Sequence, residues 1–157
     1  MNLEIERKFL VSHERLPLLP VGVPMIQGYL ASGDGATVRC RCAGTQGFLT
    51  IKGPSSADGL LREEFEYSIP FDDARRMIET LCGSRVVSKV RHKLMCFGQV
   101  WEIDVFEGSH RGLVLAEAEL GSADDELILP DWAGREVTAD ARFRNSSLAE
   151  KAQIPED

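Results

Sequence analysis

The stretch VVSKVRHKLMCFGQVWEIDVFE, residues 86–107, decides the fold. Side chains at i, i+2 and i+4 of a strand share a face. In a first strand, Val86–Cys96, Lys89, Arg91 and Lys93 therefore stand together, opposite Val90 and Leu94. In a second, residues 99–107, Glu102 and Asp104 oppose Trp101, Ile103 and Val105. Only Phe97 and Gly98 lie between them, which predicts an antiparallel hairpin. One charged face is basic throughout and the other acidic throughout. A solvated sheet face ordinarily mixes both signs, so this segregation argues for charged faces that meet in an enclosed space.

The same alternation continues on both sides of the hairpin. Leu3–Val11 sets Glu4, Glu6 and Lys8 against Leu3, Ile5 and Phe9. A strand over 25–32 ends at the turn Ser32-Gly33-Asp34-Gly35, and Thr37–Ala43 presents Arg39 and Arg41. Residues 48–52 present Thr50 and Lys52 before Gly53-Pro54 ends the strand; Leu61–Ile69 presents Arg62, Glu64 and Glu66. Over 113–121, Glu117 and Glu119 oppose Ala116, Ala118 and Leu120. A helix is expected over 71–82, capped by Asp72 or Asp73 and stopped by Gly83. Ser122 to Asp125 reads as another helix start, and 146–152 as a helical tail. Eight strands joined mainly by tight turns predict a mainly β chain: a closed antiparallel barrel with a few helices packed outside. A two-sheet sandwich is the alternative. The apolar faces carry Phe9, Phe65, Tyr67 and Trp101, which calls for helices or loops to cover them.

Composition bounds the function. At 157 residues the chain fits a single domain, 1–157. A net charge of −7 repels nucleic-acid backbones, so a broad DNA or RNA surface is not expected. Charge from Glu4 onward reads against a signal peptide. With no apolar run of about 18 residues, no membrane span is expected. Cys40, Cys42, Cys82 and Cys96 lack zinc-ligand spacing and read as buried free thiols, suited to a reducing cytoplasm. The expected partner is a small molecule, with a homodimer as the candidate assembly.

Charged strand faces cannot converge in a lumen without ligands, because unpaired buried charge is costly. Eight carboxylates (Glu4, Glu6, Glu64, Glu66, Glu102, Asp104, Glu117, Glu119) face seven cations (Lys8, Arg39, Arg41, Lys52, Arg62, Lys89, Arg91). Two divalent ions would bring the set to about +3. A chain of three phosphates carries roughly −4 to −5, so the two would neutralise each other.

These residues resemble a known family. Glu4-Ile5-Glu6-Arg7-Lys8 is similar to the E-x-E-x-K signature of the CYTH superfamily, the triphosphate tunnel metalloenzymes. In order behind it stand Gln27-Gly28-Tyr29-Leu30, Val38-Arg39-Cys40-Arg41, Thr50-Ile51-Lys52 and Arg62-Glu63-Glu64-Phe65-Glu66. Then come Lys89-Val90-Arg91, Trp101 to Phe106, Leu115 to Leu120, and an ending at Arg142-Phe143-Arg144-Asn145 that resembles the short bacterial members. The resemblance implies an eight-stranded tunnel that binds triphosphate with Mg²⁺ or Mn²⁺, and inorganic triphosphate as substrate. Rival activities are a class IV-type adenylate cyclase, a thiamine or nucleoside triphosphatase, and a non-catalytic polyphosphate-binding module.

Hard divalent ions take oxygen ligands, and the resemblance places the ligating carboxylates on the first and last strands. Glu4, Glu6, Glu117 and Glu119 are the first candidates for metal, with Asp104 next. Lys8, Arg39, Arg41, Lys52, Arg62, Lys89 and Arg91 are the candidates for substrate, guanidinium forks suiting phosphoryl oxygens. For catalysis the candidates are Glu6, with Glu4, as proton acceptor, Lys89 as the alternative base, and Tyr29 paired with Lys8. Glu64, Glu66 and Glu102 either ligate a second ion or, as the favoured reading, orient the basic residues.

Overall fold

The computed structural model describes residues 2–33 and 35–156, so Asp34 of the expected turn lies outside the described residues. Alternation produces the strands β1 (Leu3–Val11), β2 (Val23–Ala31), β3 (Thr37–Ala43) and β4 (Gln46–Ser55). They are followed by β5 (Leu61–Ile69), β6 (Val86–Cys96), β7 (Gln99–Phe106) and β8 (Val114–Glu119). Neighbours run β5-β4-β3-β2-β6-β7-β8-β1, and β1 pairs antiparallel with β5 to close the barrel. Closure leaves no free edge among these eight, which is how such a sheet avoids unpaired backbone. A ninth strand, β9 (Ala133–Glu136), was not foreseen. It takes the part of the β1 edge that β5 leaves: β5 pairs with Leu3 to Ile5, and β9 with Phe9 and Val11.

Three local expectations change. β4 continues past Gly53-Pro54 to Ser55, because its pairing with β5 shifts register between Lys52 and Ser55; that irregularity admits a proline that has no N–H to donate. The helix α1 (Phe71–Leu81) is capped by Pro70 without a side-chain hydrogen bond. Asp72 and Asp73 lie in its first turn and act on the helix dipole by charge alone. Gly83, at φ 61°, ends it in the left-handed conformation. Ser122 to Asp125 forms no helix: the Asp125 carboxylate accepts from the backbone N–H of Gly121 and Ser122, both at 3.0 Å, and holds a turn instead.

Outside the barrel two apolar clusters form. Over β1, β7 and β8, Trp101 is fully buried, edge-on to Phe9 at 5.7 Å and to Trp132 at 5.2 Å. The segment that carries Trp132 covers this face. On β3, Cys40 and Cys42 pack under Ala74 and Ile78 of α1. The helix reaches β2, β3 and β4 but leaves Tyr67 of β5 56% exposed, so the expected cover there is absent.

The third cluster is inside. Tyr29, Val87, Phe106 and Leu115, at the inner ends of their strands, meet Phe143, Leu148 and Ala149. The last helix, α2 (Asn145–Glu150), thus closes one end of the barrel instead of packing outside it. Among the described residues no helix is long and apolar enough to cross a membrane.

Trp101→Ala is expected to cost about 3–5 kcal/mol, read from urea unfolding. A loss below about 1 kcal/mol would mean that the Phe9–Trp101–Trp132 stack does not hold β1, β7 and β8 together.

Candidate active site

Because the strands alternate and the barrel closes, their charged faces share its interior. Two chambers result. The inner one, about 70 Å³, is lined by Lys8, Arg39, Arg41, Lys52, Arg62, Lys89, Arg91 and Arg144, eight cations against one carboxylate, Glu117. The outer one, about 590 Å³, holds Glu4, Glu6, Glu64, Glu66, Glu102 and Glu119. Arg39, Arg41, Lys52 and Arg91 border both. The lumen is therefore graded, acidic toward the mouth and basic at the closed end.

Pairing across strands sets the detail. Asp104, with no exposure, lies behind the inner chamber and receives Lys89 Nζ at 2.8 Å and Arg91 through Nε at 2.7 Å and Nη2 at 2.9 Å. Burial raises its pKa, but the Lys89 and Arg91 charges outweigh that and hold the carboxyl far below the usual range. Both its oxygens accept from this pair, so Asp104 anchors Lys89 and Arg91. Glu117 is likewise buried, and the nearby Lys8 and Arg91 charges outweigh burial and bring it down to about 2. Lys8 lies 3.5 Å from Glu117 and donates to the Phe143 carbonyl at 3.2 Å. Lys52 bridges Glu4 at 3.0 Å and Glu64 at 3.2 Å; Arg91 also holds Glu102 at 3.1 Å.

The cations are crowded in turn. Burial pushes the Lys89 ammonium down to about 7 against the pull of Asp104, and Arg91 and Arg41 add to the push. Burial and the charges of Arg39 and Arg91 lower the Arg41 guanidinium. The Nε–H of Arg39 is buried with no hydrogen-bond acceptor among the described residues. A small polyanion would satisfy all three.

At the mouth the carboxylates lack enough cation. Glu6 and Glu119 stand directly opposite each other on β1 and β8, where like charges repel. Burial, then Glu117 and Glu4, pushes Glu6 well above the usual carboxylate range; burial with Glu4 and Glu102 raises Glu119. Burial also raises Glu4, against Lys52. Among the described residues no three His, Cys, Asp or Glu side chains already converge as a metal cage.

All seven basic candidates line the inner chamber, and Tyr29 joins them. The Tyr29 hydroxyl accepts from Gln27 Nε2 at 2.8 Å instead of pairing with Lys8. Sequence reasoning missed Gln27, Thr37, Arg144, Asn145 and Ser146. Gln27 could have been found two residues before Tyr29 on the same face. Arg144 to Ser146 arrive from outside the strands, where alternation gives no signal. His92 and His110 bond the carbonyls of Pro20 and Lys151, away from the inner chamber. The cysteines are free, three of them buried, and burial pushes the Cys40 thiol up to about 11.

The chain matches the CYTH domain over residues 2–153. It is 43% identical over 148 residues to an inorganic triphosphatase of Acetivibrio thermocellus, covering 94% of each chain. With an inorganic triphosphatase of Nitrosomonas europaea it shares 39% over 153 residues, covering 93% of this chain and 96% of that one. A crystal structure of an inorganic triphosphatase superimposes with a TM-score of 0.68 at 36% identity, covering 98% and 97% of the two chains.

A carboxyl whose pKa is raised by folding destabilises the protein once it ionises, so stability is lost as pH rises from about 4.5 through the folded value. Glu6→Gln removes that penalty. It is expected to raise the melting temperature of the metal-free protein at pH 8 and leave it nearly unchanged at pH 4. A fall at pH 8 would show that Glu6 is held by a stabilising partner.

Proposed function

The chain belongs to the CYTH domain family, and from that premise we propose that it is a divalent-metal-dependent hydrolase of inorganic triphosphate, releasing diphosphate and phosphate. The observation that carries the reading is the inner chamber, with eight cations, one carboxylate and an unsatisfied arginine N–H. Such a site suits a compact anion of high charge density. The two inorganic triphosphatases of 43% and 39% identity support the same substrate.

The outer chamber fits a hard divalent cation, Mg²⁺ or Mn²⁺, because its unsatisfied groups are carboxylates with raised pKa values. Glu4, Glu6 and Glu119 would hold it; Asp104 and Glu117 are engaged by Lys8, Lys89 and Arg91. Mg²⁺ is ordinarily bound through one or two carboxylates, so a complete cage of protein ligands would not be required. Such an ion supplies charge neutralisation and a lower pKa for nearby water.

The protein's own groups then do the following. Arg39 and Arg41 fork onto phosphoryl oxygens, and Lys8, Lys52, Lys89, Arg62 and Arg91, the last held by Asp104 and Glu102, add positive charge around them. These fixed charges stabilise the charge that spreads over the transferred group and the departing diphosphate during in-line attack by water. Whichever of Glu4 and Glu6 is not engaged by the ion accepts the proton from that water. Lys89, lowered to about 7, is the alternative acceptor. The apolar cluster with α2 bars water from the closed end.

A phosphate-release screen over inorganic triphosphate, diphosphate, thiamine triphosphate and ATP, each with Mg²⁺ and Mn²⁺, tests the substrate and scores cyclic nucleotide as the cyclase outcome. Inorganic triphosphate is expected to be turned over fastest; a preference for ATP with cyclic nucleotide formed would replace the reading. Glu119→Ala is expected to abolish metal-dependent turnover with the fold intact, and full activity would remove Glu119 from the metal set. Arg41→Ala is expected to raise KM about tenfold or more. An unchanged KM would take Arg41 out of substrate binding.

A further inference from the structure

We propose that Asn145 is a positioning residue for the reaction: from the C-terminal segment it orients Lys89 and, through Gln27, the Tyr29 hydroxyl and Arg41. The inference rests on the hydrolase reading above for the meaning of those three groups, but its geometry stands apart from that reading.

Asn145 Oδ1 accepts from Lys89 Nζ at 3.0 Å and from Gln27 Nε2 at 3.2 Å. Gln27, with no exposure, donates from the same nitrogen to the Tyr29 hydroxyl at 2.8 Å and accepts from Arg41 Nε at 3.0 Å through Oε1. With Lys89 charged, the state that its 2.8 Å contact with Asp104 favours, the direction of this chain is set. Ammonium and guanidinium groups donate only. Asn145 must therefore turn its oxygen, not its NH₂, toward Lys89. Arg41 likewise forces the Gln27 oxygen toward itself, which leaves both Gln27 N–H bonds for Asn145 and Tyr29. With its oxygen already receiving one of them, the Tyr29 hydroxyl keeps its own hydrogen to donate. That hydroxyl lines the inner chamber among the cations.

Each member would be less determined without Asn145. Lys89 would retain Asp104 as its acceptor but lose the second contact that fixes its direction. One Gln27 N–H would be left buried without a partner, and such a group relaxes by moving. The network is buried, where partly satisfied polar groups cost most. Asn145 is also the first residue of α2, whose Leu148 and Ala149 pack in the apolar cluster that closes the barrel. The segment that seals the lumen therefore carries the acceptor that aligns it.

Asn145→Leu matches the side chain in size and removes the acceptor; Asn145→Asp keeps oxygens for both Lys89 and Gln27. Both are compared with the wild type by melting temperature, by the side-chain amide ¹H–¹⁵N signals of Gln27, and by kcat and KM on inorganic triphosphate. In Asn145→Leu, one Gln27 amide proton is expected to shift upfield while kcat falls about a hundredfold and the cooperative melt is kept. Asn145→Asp is expected to hold the Gln27 pattern and to recover kcat to within about tenfold of the wild type, its added charge appearing in KM. Wild-type kcat or unchanged Gln27 signals in Asn145→Leu would overturn the proposal, as would an Asn145→Asp variant as impaired as Asn145→Leu. Should the wild type release no phosphate from triphosphate, the hydrolase reading falls alone. The Gln27 signals of the two variants then decide the placement of Asn145 by the same criteria.

Discussion

Cations gathered around so small a chamber would drive one another apart without a buried anion behind them, and Asp104 is that anion. It receives Lys89 and Arg91 through both oxygens with no access to solvent. Removing one partner of a buried pair costs about 3–5 kcal/mol, because the other is left uncompensated. Lys89 and Arg91 in turn flank Arg41, whose guanidinium feels Arg91 and Arg39 as repulsion. The arrangement fixes the directions of side chains that would otherwise have many rotamers. Pre-set direction is what a phosphate site needs, since charge placed before the reaction need not be reorganised during it.

The separation of sign along the barrel follows from strand registry. On β1 the inward positions run Glu4, Glu6, Lys8; on β8 they run Glu119, Glu117 in the opposing direction, so Glu6 faces Glu119 and Lys8 faces Glu117. On β4 and β5, Lys52 faces Glu64, and on β6 and β7, Arg91 faces Asp104. A one-residue slip would turn every one of these groups to the outside. The outer face prevents that slip, because Phe9, Trp101, Ala116 and Ala118 must stay under the segment around Trp132.

Strand alternation made the barrel and its charged interior legible, since period two reports which residues share a face whatever their depth. Depth is what it does not report. Asp104 and Glu102 are two residues apart on one face of β7, yet one is sealed behind two cations and the other borders the mouth. Closure brings Glu4 and Glu119 into one chamber and leaves Asp104 spent on Lys89, a distinction of position along the lumen. The four residues of β9 contain a glycine and pair only where β5 departs, so their strand character comes from an edge elsewhere in the chain. The Asp125 turn reads like a helix start because the same side chain can cap either. Arg144 and Asn145 were visible only as part of a terminal motif. Nothing in their spacing says that they reach a lumen built from other segments.

The two kinds of charge strain in the barrel are complementary. Burial makes Glu4, Glu6 and Glu119 hold their protons more tightly and Lys89 and Arg41 hold theirs more weakly, and like charges nearby add to both effects. Each shift is free energy withheld from the folded state, and an opposite charge brought close would offset part of it. Asp104, Glu117, Arg91 and Lys52 are shifted the opposite, stabilising way, so contributions within the lumen offset one another and holding the fold together is left to other contacts. That task falls to the apolar clusters around Trp101, beneath α1 and at the closed end, which the pleat keeps apart from the charges along most of each strand. Only at the closed end do the two meet, where Tyr29 belongs to the apolar cluster and also lines the cationic chamber. There a change made for packing also moves a group that faces substrate, so stability and activity are least separable at the seat of α2.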